Sequence, residues 1–437
     1  MPRMLLLQRA VTLLALRRAM SSGVQLQVSP QRCLYDETLQ LQVSGLSPGQ
    51  DITLRTELTD EGGQLFSSMG RYRAGGSGEL DLSQSPALEG GTFTGIETEG
   101  PLWSLETRDP LRRLLKKDVL IPFQLRFSLH REPSGALLAS STQERGFMGE
   151  GVTREPVREG RVRATLFLPP GPGPFPGVIE VQGTGGGLLE YKASLLASKG
   201  FATLALAYYN FEDLPKQMED LQLEYFEEAV DYMLQHPKVK GPGIGLLGHS
   251  KGGDLVLSMA SFLKGITATA VVNGSVANVV TALHYKDITL PPIGYDLRKV
   301  TFPVPGVGDI RDIYLNVLEE PNRESLIPVG KADCKFLFIV AGDDRNWDSR
   351  FHAQTACKLL EEQGKDKPEV VYYAKAGHYI EPPYFPLCKA SMHKAAGFPV
   401  TWGGEPKAHS VAQVDSWQKI QAFFHRQLNQ QSSANKL

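Results

Sequence analysis

The segment that most restricts how this chain can fold is Gly248-His249-Ser250-Lys251-Gly252, which follows the apolar run Ile244 to Leu247 and precedes Leu255 to Leu263, a stretch that reads as helix. A strand that gives way to a helix within so few residues turns sharply at the serine. The positions two places either side must then lack side chains, so that strand and helix can approach. Gly248 and Gly252 meet that condition, and Ser250 would hold its hydroxyl above the edge of a sheet. Three fixed positions of this kind recur by chance about 0.1 to 0.2 times in a chain of this length. The strand-turn-helix setting therefore carries the reading more than the motif does.

The surrounding rhythm supplies that setting. Beyond the polar stretch Thr153 to Gly160, strands alternate with helices: Val162 to Leu168, Pro176 to Val181, Phe201 to Ala207, Ile244 to Leu247, Ile266 to Val272 and Phe336 to Val340 as strands, with Leu188 to Ser198 and Glu219 to Leu234 as helices. Such alternation implies a largely parallel sheet covered on both faces. Upstream, from Val24 to about Thr153, apolar residues recur with period two, as in Leu39, Leu41 and Val43 or Phe123, Leu125, Phe127 and Leu129, and turn residues such as Ser47-Pro48-Gly49 separate the runs. That pattern predicts an all-β sandwich of immunoglobulin-like type. The chain thus divides into a β-sandwich domain over 24–153, with no cluster of catalytic residue types, and a catalytic domain over 160–430.

Lys and Arg (46) nearly balance Asp and Glu (48) among 437 residues, so overall charge offers no footprint for nucleic acid. Cys33, Cys334, Cys357 and Cys388 show neither metal-ligand spacing nor a disulfide framework and read as free thiols of a reducing compartment. At the N-terminus, Arg3, Arg9, Arg17 and Arg18 interrupt a leucine-rich run, and no acid precedes Asp36. This is the profile of a mitochondrial transit peptide over 1–23, with Arg9 opposing a membrane span. The matrix is the expected location. Asn435-Lys436-Leu437 weakly resembles a peroxisomal address, which leaves peroxisome and cytosol as alternatives.

A serine hydroxyl needs a histidine to take its proton and a carboxylate to hold that histidine's tautomer. The order expected after a nucleophile elbow is serine, acid, histidine. Lys335 to Ala341 ends at Gly342-Asp343-Asp344, and Val370 to Tyr373 is followed by Ala376-Gly377-His378, so both acids and His378 lie on turns after strands. His352, His393, His409 and His425 also follow Ser250 but lack that placement. An oxyanion would require backbone donors: Lys251, and a second from Gly183-Thr184-Gly185-Gly186-Gly187, with Thr184 and Gly185 the candidates. Gly243-Ile244-Gly245-Leu246-Leu247-Gly248 matches a dinucleotide fingerprint only formally, because its glycines run through the strand rather than after it.

Several longer runs are specific: Gly183 to Tyr191, Ala207-Tyr208-Tyr209-Asn210, Ser258 to Thr267, Asn273-Gly274-Ser275, Gly377 to Pro386 and Trp402-Gly403-Gly404-Glu405-Pro406. On these the chain resembles the type I acyl-CoA thioesterases, a family shared with the bile acid-CoA:amino acid N-acyltransferases, over roughly Val24 to His425. The resemblance implies an N-terminal sandwich before an α/β-hydrolase domain, a fatty acyl-CoA substrate, Ser250 as nucleophile, His378 as base, Asp344 rather than Asp343 as the acid, and no metal or redox cofactor. Conjugating members of the family are expected to carry cysteine where this chain has Ser250, which favours hydrolysis over transfer to glycine or taurine. The remaining alternative, an inactive acyl-CoA binding protein, sits poorly with an intact Ser250, Asp344 and His378.

Overall fold

The computed structural model describes residues 23–429. Residues 1–22 of the expected transit peptide over 1–23, and the terminal Asn435-Lys436-Leu437, lie outside the described residues.

Two compact units are formed. The first, running to Cys33 and comprising also Glu37–Arg108 and Phe123–Arg145, is built of β-strands with one four-residue helical turn, Gly100–Trp103. One three-stranded antiparallel sheet runs Gln25–Ser29, Gln40–Ser44, Leu80–Asp81, and a six-stranded sheet is centred on Asp51–Thr59 between Leu65–Arg73 and Phe123–Arg131. The predicted alternation holds at Leu39, Leu41 and Val43 and at Phe123, Leu125, Phe127 and Leu129, all buried. Two long strands escaped it. Leu65–Arg73 turns Ser68 and Gly70 inward, and Leu137–Gly146 turns Gln143 and Arg145 inward, so neither shows an apolar period. Arg145 is tolerated there because it donates to the Gln143 side chain at 2.9 Å and to the Glu37 carbonyl at 2.7 Å.

The second unit takes Leu34–Asp36, Asp109–Pro122 and everything from Gly146. Its sheet has eight strands: β1 (Thr153–Val157), β2 (Arg163–Leu168), β3 (Phe175–Val181), β4 (Ala202–Ala207), β5 (Val239–His249), β6 (Ile266–Val272), β7 (Lys335–Ala341) and β8 (Glu369–Tyr373), in the order β1-β2-β4-β3-β5-β6-β7-β8. β1 and β2 are antiparallel to their neighbours; the six from β4 to β8 are parallel. The polar stretch from Thr153 is thus an edge strand, which explains why Thr153, Glu155 and Pro156 are exposed and only Val157 is buried. Helices α1 (Tyr191–Ala197), α2 (Leu223–Gln235), α3 (Lys251–Phe262), α4 (Ser349–Glu362) and α5 (Pro406–Leu428) cover the faces.

In α2, Leu223, Phe226, Ala229, Val230 and Met233 form the buried stripe, and His236 leaves helical geometry before Pro237 as expected. It starts later than the predicted Glu219, because Leu221 donates its N–H to the Ala282 carbonyl and pairs as a short strand instead. The glycines of the formal dinucleotide match are packing glycines. A Cβ at Gly245 would lie 2.7 Å from the Phe424 ring of α5, and one at Gly243 would lie 2.1 Å from the Thr267 hydroxyl. No helix among the described residues is long and apolar enough to cross a membrane.

Candidate active site

The C-terminal ends of the parallel strands supply every group of the site. Between β5 and α3, Ser250 sits at φ 58° and ψ −125°, a conformation costly for a residue with a side chain. What holds it there is the close approach of strand and helix. A Cβ at Gly248 would stand 2.2 Å from the Gly252 carbonyl oxygen, and one at Gly252 would stand 2.0 Å from that of Val181. The Ser250 N–H donates to Val272 of β6 at 3.0 Å.

Ser250 Oγ lies 2.8 Å from His378 Nε2, and His378 Nδ1 lies 2.8 Å from Asp344 Oδ2. Asp344, after β7, also accepts from the Asn346 N–H at 2.8 Å and from the Ser349 hydroxyl at 2.5 Å. Asp343 points elsewhere. Its carboxylate pairs with Arg345 and accepts from the Gly404 N–H, so of the two adjacent acids only Asp344 touches the imidazole. Asp344 and His378 are both 1% exposed. His378 is enclosed by rings, with Trp402 stacked on it at 5.4 Å and 21° and Trp347 meeting it edge-on at 5.4 Å and 88°.

Lys251 turns its side chain away from this chain of hydrogen bonds. Its ammonium donates to Asp254, Asn278 and the Val279 carbonyl between 2.7 and 2.9 Å, while its backbone N–H belongs to the first turn of α3, directly after Ser250. Burial raises the Asp254 carboxyl to about 6 even though Lys251 opposes the shift. The glycine loop after β3 lies against Ser250: a Cβ on Gly183 would be 2.9 Å from the serine Cβ and 3.3 Å from its Oγ.

Several supporting residues were not visible as functional in the sequence. His249 Nε2 lies 2.9 Å from the His378 carbonyl, which forces its proton onto that nitrogen, and Asn273 donates to the same carbonyl at 2.8 Å. Burial, Lys192 and His378 hold His249 well below the ordinary imidazole range. Asn273 also accepts from the Ala341 N–H, and its carbonyl takes the Trp347 indole N–H, so one residue ties β6, β7 and the histidine loop together. His409, set aside on placement, accepts from the Gly377 N–H and bonds the Tyr379 carbonyl, bracing the same loop.

Behind the loop lies a buried ionic cluster. Glu381 pairs with Arg113, sits 3.4 Å from the Lys192 ammonium and accepts from the Tyr191 hydroxyl at 2.7 Å. Although burial would raise its carboxyl, Lys192 and Arg113 overcome that and hold it far below the carboxylate range. Arg113 also covers the Tyr379 ring at 3.7 Å. Burial and Glu381 push neighbouring Glu180 up to about 8 despite Lys192. Arg113 stands in Asp109-Pro110-Leu111-Arg112-Arg113, a charge run that reads as solvated surface, and its partner is 268 positions away. No local signal could have found it. Among the described residues, no group of three or more His, Cys, Asp or Glu is arranged to hold a metal ion.

An open, largely parallel sheet with a strained serine at its central strand-helix turn, facing a histidine and an acid from later strand ends, defines the α/β-hydrolase class. Residues 36–159 match the family described as Acyl-CoA thioester hydrolase/BAAT N-terminal region, and residues 221–430 match BAAT / Acyl-CoA thioester hydrolase C terminal. The chain belongs to this acyl-CoA thioester hydrolase/BAAT family. It is 57% identical to human acyl-coenzyme A thioesterase 2, mitochondrial, over 91% of this chain and 83% of that protein, and 57% identical to human acyl-coenzyme A thioesterase 1 over 91% and 95%. Among solved structures it is similar to Pyrococcus horikoshii acylaminoacyl peptidase at 12% identity and a TM-score of 0.40, covering 92% of this chain and 68% of the other.

Proposed function

We propose that this protein hydrolyses fatty acyl-CoA to free fatty acid and CoA through an acyl-enzyme on Ser250. The observation that carries the reading is the continuous hydrogen-bonded chain from Ser250 Oγ through His378 to Asp344, in a protein whose relatives are named acyl-coenzyme A thioesterases. Ser250 Oγ attacks the thioester carbonyl carbon while His378 Nε2 takes its proton. Asp344 keeps the other imidazole proton on Nδ1 and offsets the charge of the imidazolium. The tetrahedral oxyanion is met by the Lys251 N–H and by a donor of the 183–187 loop, Thr184 or Gly185. Collapse breaks the C–S bond, and the proton on His378 passes to the departing CoA sulfur.

Water then attacks the serine ester, again losing its proton to His378, and the acid departs as Ser250 recovers that proton. An oxygen ester suits water as acceptor, which is why hydrolysis is favoured over transfer to an amine. A mitochondrial site of action is supported by the arginine-rich, acid-free N-terminus and by relatives named mitochondrial. The test is CoA release across acyl-CoAs of increasing length, with free acid identified by mass spectrometry in the presence and absence of glycine or taurine. Appearance of N-acyl amino acid as the main product would replace hydrolysis with conjugation. Stoichiometric binding without CoA release would replace both.

A further inference from the structure

The run Ala207-Tyr208-Tyr209-Asn210 has no role in the reaction described so far. It stands at the end of β4, beside the glycine loop that follows β3. The Tyr208 hydroxyl donates to two carbonyls of that loop, Gln182 at 3.1 Å and Gly183 at 2.9 Å, and the Tyr209 hydroxyl donates to a third, Thr184. The loop answers in kind, since the Gly187 N–H donates to the Tyr209 carbonyl at 2.9 Å. Gly186 lies so close to the Tyr209 ring that a Cβ there would stand 2.4 Å from it. Both tyrosines are buried, with ring centroids 5.3 Å apart.

A trans peptide points its N–H opposite to the carbonyl of the preceding residue. Fixing the Gly183 and Thr184 carbonyls therefore fixes the N–H groups of Thr184 and Gly185, aimed away from the tyrosines. Among the described residues, neither of these two N–H groups donates a hydrogen bond. The loop that carries these donors rests against Ser250 through Gly183, where a Cβ would stand 3.3 Å from the serine Oγ. Preorganised donors of this kind act because they need no rearrangement as charge develops.

We propose that Tyr208 and Tyr209 are positioning residues of the oxyanion site: their hydroxyls grip the outward carbonyls of the glycine loop and so aim its N–H groups at the tetrahedral intermediate. The inference rests on the reading of Ser250 as nucleophile. Burial raises both phenols, Tyr208 well above the ordinary range and Tyr209 to about 12, so each stays a proton donor at working pH.

The test compares Tyr208→Phe, Tyr209→Phe and the double variant with the unaltered full-length protein. Two probes are used, a trifluoromethyl ketone analogue of acyl-CoA, which forms an oxyanion adduct with a serine, and a thioether analogue, which binds without reacting. Losing an oxyanion donor costs roughly 10²–10³ in kcat, and misaiming one should cost roughly tenfold or more. The expected result is a fall of that size in kcat and in ketone affinity, with KM and thioether affinity nearly unchanged. Tyr225→Phe is the control, because the Tyr225 hydroxyl also donates to a β4 carbonyl, that of Ala207, but does not touch the loop. Phenylalanine variants that lose thermal stability yet keep the ratio of ketone to thioether affinity would overturn the inference alone. Absence of a ketone adduct at Ser250 in the unaltered protein would bring down the nucleophile reading and the inference with it.

Discussion

Replacing Asp344 by asparagine removes one charge without changing shape, and the surrounding donors decide what the new amide does. The Asn346 N–H points at Oδ1 from 2.8 Å and the Trp347 N–H from 3.4 Å, and both belong to backbone that cannot turn away. Placing the amide NH2 on that side would set donor against donor and leave buried N–H groups unpaired, at a cost of about 1–3 kcal/mol. The amide oxygen therefore stays there, and NH2 faces Ser349 and His378. Ser349 can rotate its hydroxyl to accept. His378 Nδ1 must accept as well, which moves the ring proton to Nε2, opposite Ser250 Oγ, where a base needs a lone pair. A wrong tautomer of this kind lowers kcat by roughly 10⁴, equivalent to about 5.5 kcal/mol of barrier at 1.36 kcal/mol per decade. Asp343→Asn is the comparison. It keeps an acceptor for Gly404 and loses part of an ion pair with Arg345, a side chain 41% exposed, so its effect on turnover should stay within roughly tenfold. The assay is steady-state CoA release by both variants, with thermal unfolding to show that each is folded. A folded Asp344→Asn enzyme within tenfold of the original, or a more damaging Asp343→Asn, would refute the assignment of the acid.

Ser250→Ala and His378→Ala should each abolish turnover with little change in melting temperature, and substantial CoA release by either purified variant would count against the proposed chemistry. Ser250→Cys should still acylate but form a thioester, so mass spectrometry at fixed taurine should find a larger fraction of N-acyl product; an unchanged fraction would mean that pocket shape, not the nucleophile, selects the acceptor. Glu381→Gln leaves Arg113 and Lys192 without their shared counter-charge in a buried site, for which about 3–5 kcal/mol is expected in denaturant unfolding. A loss below about 1 kcal/mol would show the cluster to be well solvated. Glu180 has a folded-state value of about 8 against an ordinary 4.5, so between those limits the native state holds a proton the unfolded chain has released, and stability falls as pH rises until about 8. Glu180→Gln lacks that slope, and its melting temperature relative to the original should climb from pH 5 to pH 8; a constant difference would mean that Glu180 is ionised throughout.

The amino-acid sequence by itself determined the features that depend on neighbours along the chain. Period-two and helical patterns separate an all-β part from an alternating one. The glycine spacing around Ser250 dictates a sharp turn, because two backbones must pass where no Cβ fits. Residues at the ends of predicted strands collect at one edge of a parallel sheet, and so Ser250, the Asp343-Asp344 pair and His378 could be named together. Tertiary structure decided what depends on direction in space. Asp343 and Asp344 are adjacent and chemically alike, and only the turn after β7 sends one to His378 and the other to Arg345 and Gly404. Arg113 looks like surface charge until the 109–122 segment carries it to Glu381, across 268 positions. The strands at Leu65–Arg73 and Leu137–Gly146 stayed hidden because small or polar inward residues interrupt their apolar period, Ser68 and Gly70 between Phe66 and Tyr72 in the first and Gln143 and Arg145 in the second, and burial of such polar groups is made tolerable by hydrogen bonds that no pattern along the chain records.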